Sequence, residues 1–358
     1  MIIHARDFDY QLFFRKNIQE CKQDLETELE NRRIFVITNT TVYGLYAHSM
    51  EDLLRGSSFH WIVIEDGEEY KNWSTFIEVV EQVDSLGVTR DSLVIGFGGG
   101  VVGDLAGFVA ATILRGIDYI AVPTTLLAMV DSSIGGKTAI NTKEGKNRLG
   151  SFYPPKKVLM PFACLQSLPT KEIQCGLGEI VKHGLLGSEK ILALIENNAP
   201  SILNKDLPIL IELVQISCEI KGAIVMNDER EKGLRKTLNL GHTIAHSIEK
   251  VLNYREITHG HAVAIGLVTE LRWMASQGYL SREVVRRISA IFKRLDMSTK
   301  IDNIDKEACV QAISFDKKCK YDMITLSIIK EIGVAYNLDI PIQEVSKIVD
   351  HMFLGEEE

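Results

Sequence analysis

The sequence has little of what marks secreted, membrane-spanning or nucleic-acid-binding proteins. Its six cysteines are scattered without a Cys-x-x-Cys pair, which is typical of free thiols in a reducing compartment. No run reaches the roughly 18 apolar residues of a membrane span, and the start, MIIHARDFDY, lacks the apolar core of a secretion signal. A net charge of −8 argues against nucleic acid or an anionic membrane as a general partner. We therefore expect a cytoplasmic protein without either partner.

What is present is the composition of an ordinary globular chain. Of 358 residues, 46% are hydrophobic and 25% are charged, and this length can build two domains with substantial cores. In the first part of the chain, β-branched segments alternate with helical patterns, and the predicted strands are RRIFVITNTT, HWIVIEDGE, DSLVIGFGGG and DYIAVPTT. This alternation predicts an α/β domain with a mostly parallel sheet.

The pattern changes after about residue 167. Amphipathic periodicity predicts helical segments over 170–198, 206–228, 236–253, 260–277, 281–296 and 304–314, and a strand signal returns at MITLSIIKEIGVA. We therefore expect an α/β nucleotide-binding domain over residues 1–167 and a mainly α-helical metal- and substrate-binding domain over 168–358. The seam between two such domains is a common place for a ligand cleft.

A glycine cluster follows one of the predicted strands. The stretch VIGFGGGVVGDLAG puts glycines 98, 99, 100 and 103 between this strand and the start of a helix. Glycines there let a phosphate approach main-chain N–H groups at the positive end of the helix. The same cluster also suits a plain tight turn, and alone it does not separate NAD from FAD or a sugar phosphate.

The next stretch, VPTTLLAMVDSSIGGKTAINTKEGKNRLGSFYPP, is denser in polar groups. Its hydroxyls, carboxylate and lysines suit a polyhydroxylated, phosphorylated ligand. An ordinary surface loop is the alternative, but the apolar flanks favour a site. The polar residues are Thr124, Thr125, Asp131, Ser132, Ser133, Lys137, Asn141, Lys146 and Asn147.

Five of the nine histidines fall in three short, glycine-flanked segments, CGLGEIVKHGLL, LNLGHTIAHSIEK and THGHAVAIGL. A glutamate and two histidines from separate segments would form a zinc site with one open position, which a catalytic metal needs. The candidates exceed one metal, and spacing alone does not choose among them. They are Glu179, His183, His242, His246, His259 and His261.

Taken in order, these motifs resemble the 3-dehydroquinate synthase family over about residues 60–335. The densest matches are GGGVVGDLAGF, RGIDYIAVPTTLLAMVDSSIGGKTAIN, GKN, GLGEIVKHG, KGLRKTLNLGHTIAHSIE, HGHAVAIG and DKK. The resemblance implies that 3-deoxy-D-arabino-heptulosonate 7-phosphate is converted to 3-dehydroquinate and phosphate. It also implies bound NAD⁺ that is recycled in each turnover, a zinc or cobalt ion, and a homodimer.

The resemblance also implies roles for individual residues. The metal ligands would be Glu179, His242 and His259, while His246 would face the phosphate end of the substrate. The residues around the substrate would be Lys137, Asn147, Lys182, Lys221, Arg235, Asn239, Asp131 and Lys317 or Lys318, with Arg115 supplied across the dimer interface. The NAD contacts would be Asp66, Gly67, Glu68, Glu69, Tyr70, Lys71, Gly99, Gly100, Val101, Val102, Gly103, Asp104, Thr124, Thr125, Lys137, Lys146, Cys164, Leu165, Gln166 and Ser167.

Two positions depart from the family pattern. Where the family usually shows His-Gly-Glu, this chain has HGH, and we expect His261 beside the metal rather than on it. Where the family has an acid that meets the adenosine ribose, this chain has Asn39. The alternatives are another sugar phosphate cyclase, of the 2-deoxy-scyllo-inosose or valiolone synthase type, a metal-dependent polyol dehydrogenase that turns over free NAD, and a non-catalytic nucleotide-binding regulator.

Overall fold

The structure is a computed structural model that describes residues 1–4, 9–314, 319–320 and 322–354. The chain divides into two compact units, Met1–Pro169 and Thr170–Glu358. In the part of the chain that is described, no helix has both the length and the apolar character needed to cross a membrane.

The first unit is an α/β unit. Its strands are β1 (Ile2–Ile3), β2 (Tyr10–Arg15), β3 (Arg33–Asn39), β4 (Ser58–Ile64), β5 (Leu93–Gly98), β6 (Asp118–Pro123), β7 (Lys137–Thr142), β8 (Gly145–Phe152) and β9 (Lys157–Pro161). Its helices are α1 (Lys22–Leu29), α2 (Thr40–Leu53), α3 (Trp73–Ser85) and α4 (Gly100–Thr112). The main sheet has the order β1-β2-β9-β6-β5-β3-β4, and β7 and β8 form a separate hairpin.

Within the main sheet, every described strand pair is parallel except β1 with β2. The run from Ile34 to Ile37 in β3 is fully buried, because helices cover both faces of such a sheet. The prediction of an α/β unit with a mostly parallel sheet is confirmed.

The second unit is mainly helical, as predicted. Its helices are α5 (Thr170–Gly187), α6 (Glu189–Leu203), α7 (Leu207–Asn227), α8 (His242–Val251), α9 (His259–Ser276), α10 (Arg282–Arg294), α11 (Lys306–Ser314) and α12 (Val345–Asp350). The strands β10 (Cys319–Lys320), β11 (Met323–Glu331) and β12 (Val334–Pro341) form an antiparallel sheet.

Two predicted helical segments are wrong in their extent. The segment 170–198 is divided at Ser188, whose hydroxyl accepts a hydrogen bond from the Ile191 N–H and caps the start of α6. The segment 236–253 begins with a 3₁₀ turn over Leu234–Asn239, and Gly241 then takes a φ of 78°. Because that left-handed conformation interrupts a helix, α8 begins only at His242.

Candidate active site

Three side chains of the second unit bring potential metal ligands together. Glu179 lies on α5, while His242 and His259 are the first residues of α8 and α9. Each offers one ligand atom, and these atoms all lie within 4.8 Å of one another. The Glu179 Oε1 atom is 3.3 Å from His242 Nε2 and 3.4 Å from His259 Nε2. The structure therefore brings together the three residues that the resemblance implied, and their role as ligands remains a prediction.

In His242 and His259, the Nδ1 atom, which lies on the side of the ring away from Glu179, faces a hydrogen-bond acceptor. His242 Nδ1 lies 3.1 Å from the Leu240 carbonyl oxygen, and His259 Nδ1 lies 3.3 Å from Glu249 Oε1. When each Nδ1–H donates there, each Nε2 presents a lone pair toward Glu179 Oε1, which is itself buried without a hydrogen-bond partner. Three acceptors that face one another repel unless a cation lies among them. The donor set therefore fits a divalent metal such as zinc, and three protein ligands leave the fourth position of a tetrahedral zinc for another ligand.

Close helix contacts at glycine bring the three side chains together. A Cβ atom on Gly178 would lie 2.4 Å from the Gly260 carbonyl oxygen, and one on Gly260 would lie 1.9 Å from the Cys175 carbonyl oxygen. A Cβ atom on Gly266 would lie 2.0 Å from the Gly241 carbonyl oxygen. Backbones approach this closely only at glycine. Since these glycines are next to Glu179, His259 and His242 or on the facing helix, they set the spacing of the metal-binding atoms.

Glu270 is a buried residue of this site that the sequence reasoning missed. It lies on α9, and its carboxylate accepts hydrogen bonds from the N–H groups of Gly241 at 2.7 Å, Thr243 at 3.1 Å and Ile244 at 3.4 Å. It therefore satisfies donors at the start of α8, at the positive end of the helix dipole. This carboxylate fixes the backbone on both sides of His242.

The charges around the site act differently on Glu179 and on His259. Burial alone would raise the pKa of Glu179, but the neighbouring Lys182 ammonium and the imidazoles lower it well below its usual range. Burial opposes charge on His259, yet the Glu249 and Glu179 carboxylates raise its pKa well above the usual value. The field that favours a proton on this ring equally favours a metal at its Nε2 atom.

Among the described residues, the candidate ligand group includes neither His246 nor His261. The His246 ring is one turn from His242 on α8, with centroids 5.3 Å apart and nearly perpendicular planes. The His261 Nδ1 atom lies 2.6 Å from the Thr258 hydroxyl oxygen, which orients its ring within α9. His183, another candidate from the sequence, has its Nδ1 atom against the Ser217 hydroxyl.

The predicted phosphate-binding residues of this unit are largely buried. Lys182, Lys221 and Arg235 are 2%, 5% and 2% exposed, which is rare for cations unless they are paired. Lys182 is paired with the Glu179 carboxylate. The backbone N–H of Arg235 donates a hydrogen bond to the Asp228 carboxylate at 3.0 Å. Asn239 donates its side-chain amide to Glu231 at 2.9 Å. The lysine of the DKK motif, Lys317 or Lys318, lies outside the described residues.

The first unit carries the predicted nucleotide loop. Helix α4 starts immediately after Gly99, and no described side chain caps its first turn, so main-chain N–H groups there suit a phosphate. Lys71 is buried and donates to Asp104 and, at 2.6 Å, to the Asn147 amide oxygen. The Thr124 hydroxyl is buried without a hydrogen-bond partner. These features fit NAD.

A cavity in the first unit joins the glycine loop to the polar stretch that follows it. Its lining includes Gly99, Gly103, Asp104, Ser132 and Lys137. Of the remaining predicted contacts, Val102, Cys164 and Leu165 have buried side chains, so they would meet a nucleotide through their backbone. Asp131 lies in a π-helical turn, Ala128–Ser132.

An acid lies close to Asn39, the position at which this chain lacks the acid of the family pattern. Asn39 caps α2 by accepting from the Val42 N–H at 2.8 Å, and its amide donates to Asp66 at 2.6 Å. The Thr41 hydroxyl donates to the other oxygen of Asp66 at 2.7 Å. Because β3 and β4 are parallel neighbours, the end of β4 delivers this carboxylate beside the end of β3.

Comparison with solved structures identifies the class of fold. A 2-epi-5-epi-valiolone synthase from Streptomyces hygroscopicus, solved with NAD⁺ and Zn²⁺, superimposes with a TM-score of 0.89 at 24% identity and covers 98% of this chain and 99% of its own. A 2-deoxy-scyllo-inosose synthase, solved with carbaglucose-6-phosphate, NAD⁺ and Co²⁺, gives 0.88 at 23% identity and covers 98% of both chains. The chain thus has the fold of the sugar phosphate cyclases.

The sequence comparisons identify the family within that class. The profile for the 3-dehydroquinate synthase N-terminal region matches residues 61–175, and the profile for its C-terminal region matches residues 176–319. A 3-dehydroquinate synthase from Thermoanaerobacter pseudethanolicus is 38% identical over 350 residues, which cover 97% of this chain and 98% of that protein. The chain belongs to the 3-dehydroquinate synthase family.

Proposed function

We propose that this chain converts 3-deoxy-D-arabino-heptulosonate 7-phosphate to 3-dehydroquinate and phosphate, without net oxidation or reduction. The observation that carries the proposal is the convergence of the Glu179 carboxylate with the Nε2 atoms of His242 and His259. Such a donor set leaves a position for a substrate oxygen. The family match extends across both units of the chain, which supports this substrate over those of other cyclases.

The metal centre would prepare a substrate hydroxyl. A divalent metal held by Glu179, His242 and His259 would lower the pKa of that hydroxyl and favour loss of hydride from its carbon. The Glu249 carboxylate and the Leu240 carbonyl oxygen would keep both imidazoles in the tautomer that binds a cation. The Lys182 ammonium lies against Glu179. It would add positive charge near the substrate hydroxyl oxygen, which becomes negative when its proton is lost.

The nucleotide loop would hold the cofactor that makes the reaction redox-neutral. NAD⁺ supplies a hydride acceptor that returns the hydride later in the same turnover. In our proposal, the first turn of α4 binds its pyrophosphate, and Asp66, oriented by Asn39 and Thr41, accepts from a ribose hydroxyl. In the same region, Glu68 accepts from the Asn141 amide at 2.8 Å and lies 3.9 Å from Lys146 Nζ.

The remaining basic residues would bind the phosphate and ease its departure. Lys221, Arg235 and His246 would stabilise the negative charge that collects on the leaving phosphate. Oxidation of the substrate alcohol to a ketone makes the neighbouring C–H acidic, and the substrate's own phosphate takes that proton as it leaves. Return of the hydride, ring opening and closure of an enolate onto the new carbonyl complete the carbocycle.

We infer a cytoplasmic homodimer in which Arg115 serves the partner's site. Leu114, Arg115 and Gly116 all have positive φ, and Leu114 is 39% exposed, so this turn projects side chains outward. The thiols of Cys21, Cys164 and Cys175 are buried and free, which suits a reducing compartment. Sedimentation equilibrium tests the dimer, and a monomer at assay concentrations would contradict it.

The experiment that tests the function is incubation of the purified chain with the heptulosonate phosphate, NAD⁺ and zinc. We expect phosphate release without accumulation of NADH at 340 nm, and 3-dehydroquinate as the carbocyclic product by NMR. Stoichiometric NADH would indicate a polyol dehydrogenase, and turnover only of a different sugar phosphate would indicate another cyclase. Either result would overturn the proposal.

A further inference from the structure

A carboxylate at the end of α7 lies where the helix itself disfavours an acid. Asp228 directly follows α7, and its backbone N–H donates to the carbonyl oxygens of Ile224 and Val225. The carboxyl end of a helix carries partial negative charge, which repels a carboxylate. Asp206 has the favourable place at the other end of α7, where it accepts from the Ile209 N–H at 3.3 Å. The contacts that favour an acid at position 228 lie instead in the loop that follows α7.

The Asp228 carboxylate binds the backbone of this loop at three points. One oxygen accepts from the Lys232 N–H at 2.9 Å, and the other accepts from the N–H groups of Gly233 at 2.7 Å and Arg235 at 3.0 Å. Burial would raise the pKa of Asp228, but these three donors lower it below its ordinary value. Hydrogen bonds to a charged acceptor are stronger than those between neutral groups. Asp228 therefore sets the path of the loop from Lys232 to Arg235.

The β11–β12 sheet holds the same loop by its carbonyl oxygens. The Ser327 hydroxyl donates to the Lys236 carbonyl oxygen at 2.7 Å, and the Asn337 amide donates to the Gly233 carbonyl oxygen at 2.9 Å. The sheet thus binds acceptors of the loop, while Asp228 binds its donors. Since both kinds of main-chain group have partners within the second unit, the loop has one defined backbone path.

Two contacts tie Arg235 to this path. Its backbone N–H donates to Asp228, and its Nη1 atom donates to the carbonyl oxygen of Glu229, the residue next to Asp228. The planar guanidinium binds phosphate well only in a fixed orientation. We propose that Asp228 is a positioning residue, which holds the loop so that the Arg235 guanidinium is aimed at the substrate phosphate. This inference rests on the phosphate-binding role of Arg235 in the proposed function.

The test measures the affinity for inorganic phosphate by isothermal titration calorimetry, on the full chain saturated with NAD⁺ and zinc. Asp228→Asn keeps the size of the side chain but brings an amide donor against backbone donors, so we expect phosphate binding at least about tenfold weaker. The control Asp206→Asn makes the same change at the opposite end of α7 and should bind phosphate like the wild type. Both variants should keep one zinc per chain, because Glu270 holds the backbone around His242 separately.

A double-mutant cycle separates positioning from a general effect on the fold. If Asp228 acts through Arg235, Asp228→Asn should weaken phosphate binding much less in an Arg235→Gln background than in the wild type. Equal weakening in both backgrounds would overturn the proposal. So would wild-type affinity in Asp228→Asn, loss of zinc together with phosphate in that variant, or no phosphate binding by the wild type at millimolar concentration.

These measurements are independent of the assay that tests the proposed function, because phosphate binding needs no turnover. A chain that shows this binding pattern but forms no 3-dehydroquinate would refute the proposed reaction and retain the role of Asp228. A chain that forms 3-dehydroquinate, with equal phosphate affinity in the wild type and Asp228→Asn, would retain the reaction and refute the role of Asp228.

Discussion

At the scale of single residues, two histidines one helical turn apart have different surroundings. His242 has its Nδ1 atom on a backbone carbonyl and its Nε2 atom against Glu179, whereas His246 stands outside the ligand group. The four-residue spacing places both rings on one face of α8. The groups around each ring then distinguish the candidate metal ligand, His242, from His246.

Replacement of each histidine separates these roles experimentally. We expect His242→Ala to lose bound zinc and activity together, because one of three protein ligands is gone. His246→Ala should keep one zinc per chain and instead raise the KM for the substrate. Metal content by mass spectrometry and steady-state kinetics measure both, and an equal loss of metal in the two variants would show that the assignment is wrong.

Glu270 offers a prediction about a residue that holds a ligand in place. Its carboxylate accepts from three backbone N–H groups around His242, so Glu270→Ala leaves buried donors unsatisfied, at about 1–3 kcal/mol for such a group. We expect lower stability in urea and weaker zinc binding. Glu270→Gln keeps one acceptor oxygen and should retain more of both. Unchanged stability and zinc affinity in Glu270→Ala would contradict this role.

The sequence contained a signal for Glu249 but not for Glu270. Glu249 follows His242 by seven residues and therefore lies on the same face of α8, so helical spacing could have found it, although the sequence analysis did not single it out. Glu270 lies 29 residues from Gly241, and only the packing of α9 against α8 joins the two. The predicted ligands came from motif resemblance, because spacing left six candidates.

At the scale of elements, the contact between α5 and α9 sets the spacing of Glu179 and His259, two of the candidate metal ligands. Gly260→Ala would place a Cβ atom 1.9 Å from the Cys175 carbonyl oxygen, so the helices must separate. We expect a loss of several-fold or more in zinc affinity and a clear fall in stability. In the control Gly44→Ala, on α2, a Cβ atom meets nothing within 4 Å, and stability should rise by about 0.5–1 kcal/mol. Calorimetric unfolding of both variants checks this, and wild-type zinc affinity in Gly260→Ala would contradict it.

The ion pair between α6 and α10 predicts a pH dependence of stability. The hydrogen bonds from Arg287 lower the pKa of Glu196 below its ordinary value near 4.5. A carboxylate whose pKa is lower in the folded chain than in the unfolded chain stabilises the fold at pH values above its unfolded-state pKa. This stabilisation is lost as the pH falls through the folded-state pKa. Wild type should therefore exceed Glu196→Gln in stability at pH 6, with the difference vanishing in acid. Urea titrations at several pH values measure it; a constant difference, or one that persists in an Arg287→Gln background, would contradict the pair.

Element boundaries were the harder part to predict. The buried strands β3, β5 and β6 are rich in β-branched residues and stood out, whereas β9 is a five-residue strand, and the exposed, polar β8 resembles a loop. The hairpin β7–β8 was therefore not predicted, although it lies in the polar stretch that we interpreted as a ligand site. The start of α8 depends on the conformation of Gly241, which helical periodicity does not report.

At the scale of the whole molecule, each unit carries one half of the chemistry we propose. The first unit has an uncapped helix start after a glycine loop, and the second has a carboxylate and two imidazoles around a point that favours a cation. The family match spans both units, so the two halves belong to one reaction. Our account requires that the hydride removed from the substrate return to the same molecule.

The most direct test of that claim follows an isotope. The substrate is prepared with deuterium at the carbinol carbon that is oxidised, and the chain turns it over with unlabelled NAD⁺ in ordinary water. Our account predicts that the 3-dehydroquinate product retains the deuterium, as seen by mass spectrometry and NMR. Product that has lost the label to water or to free NADH would contradict it.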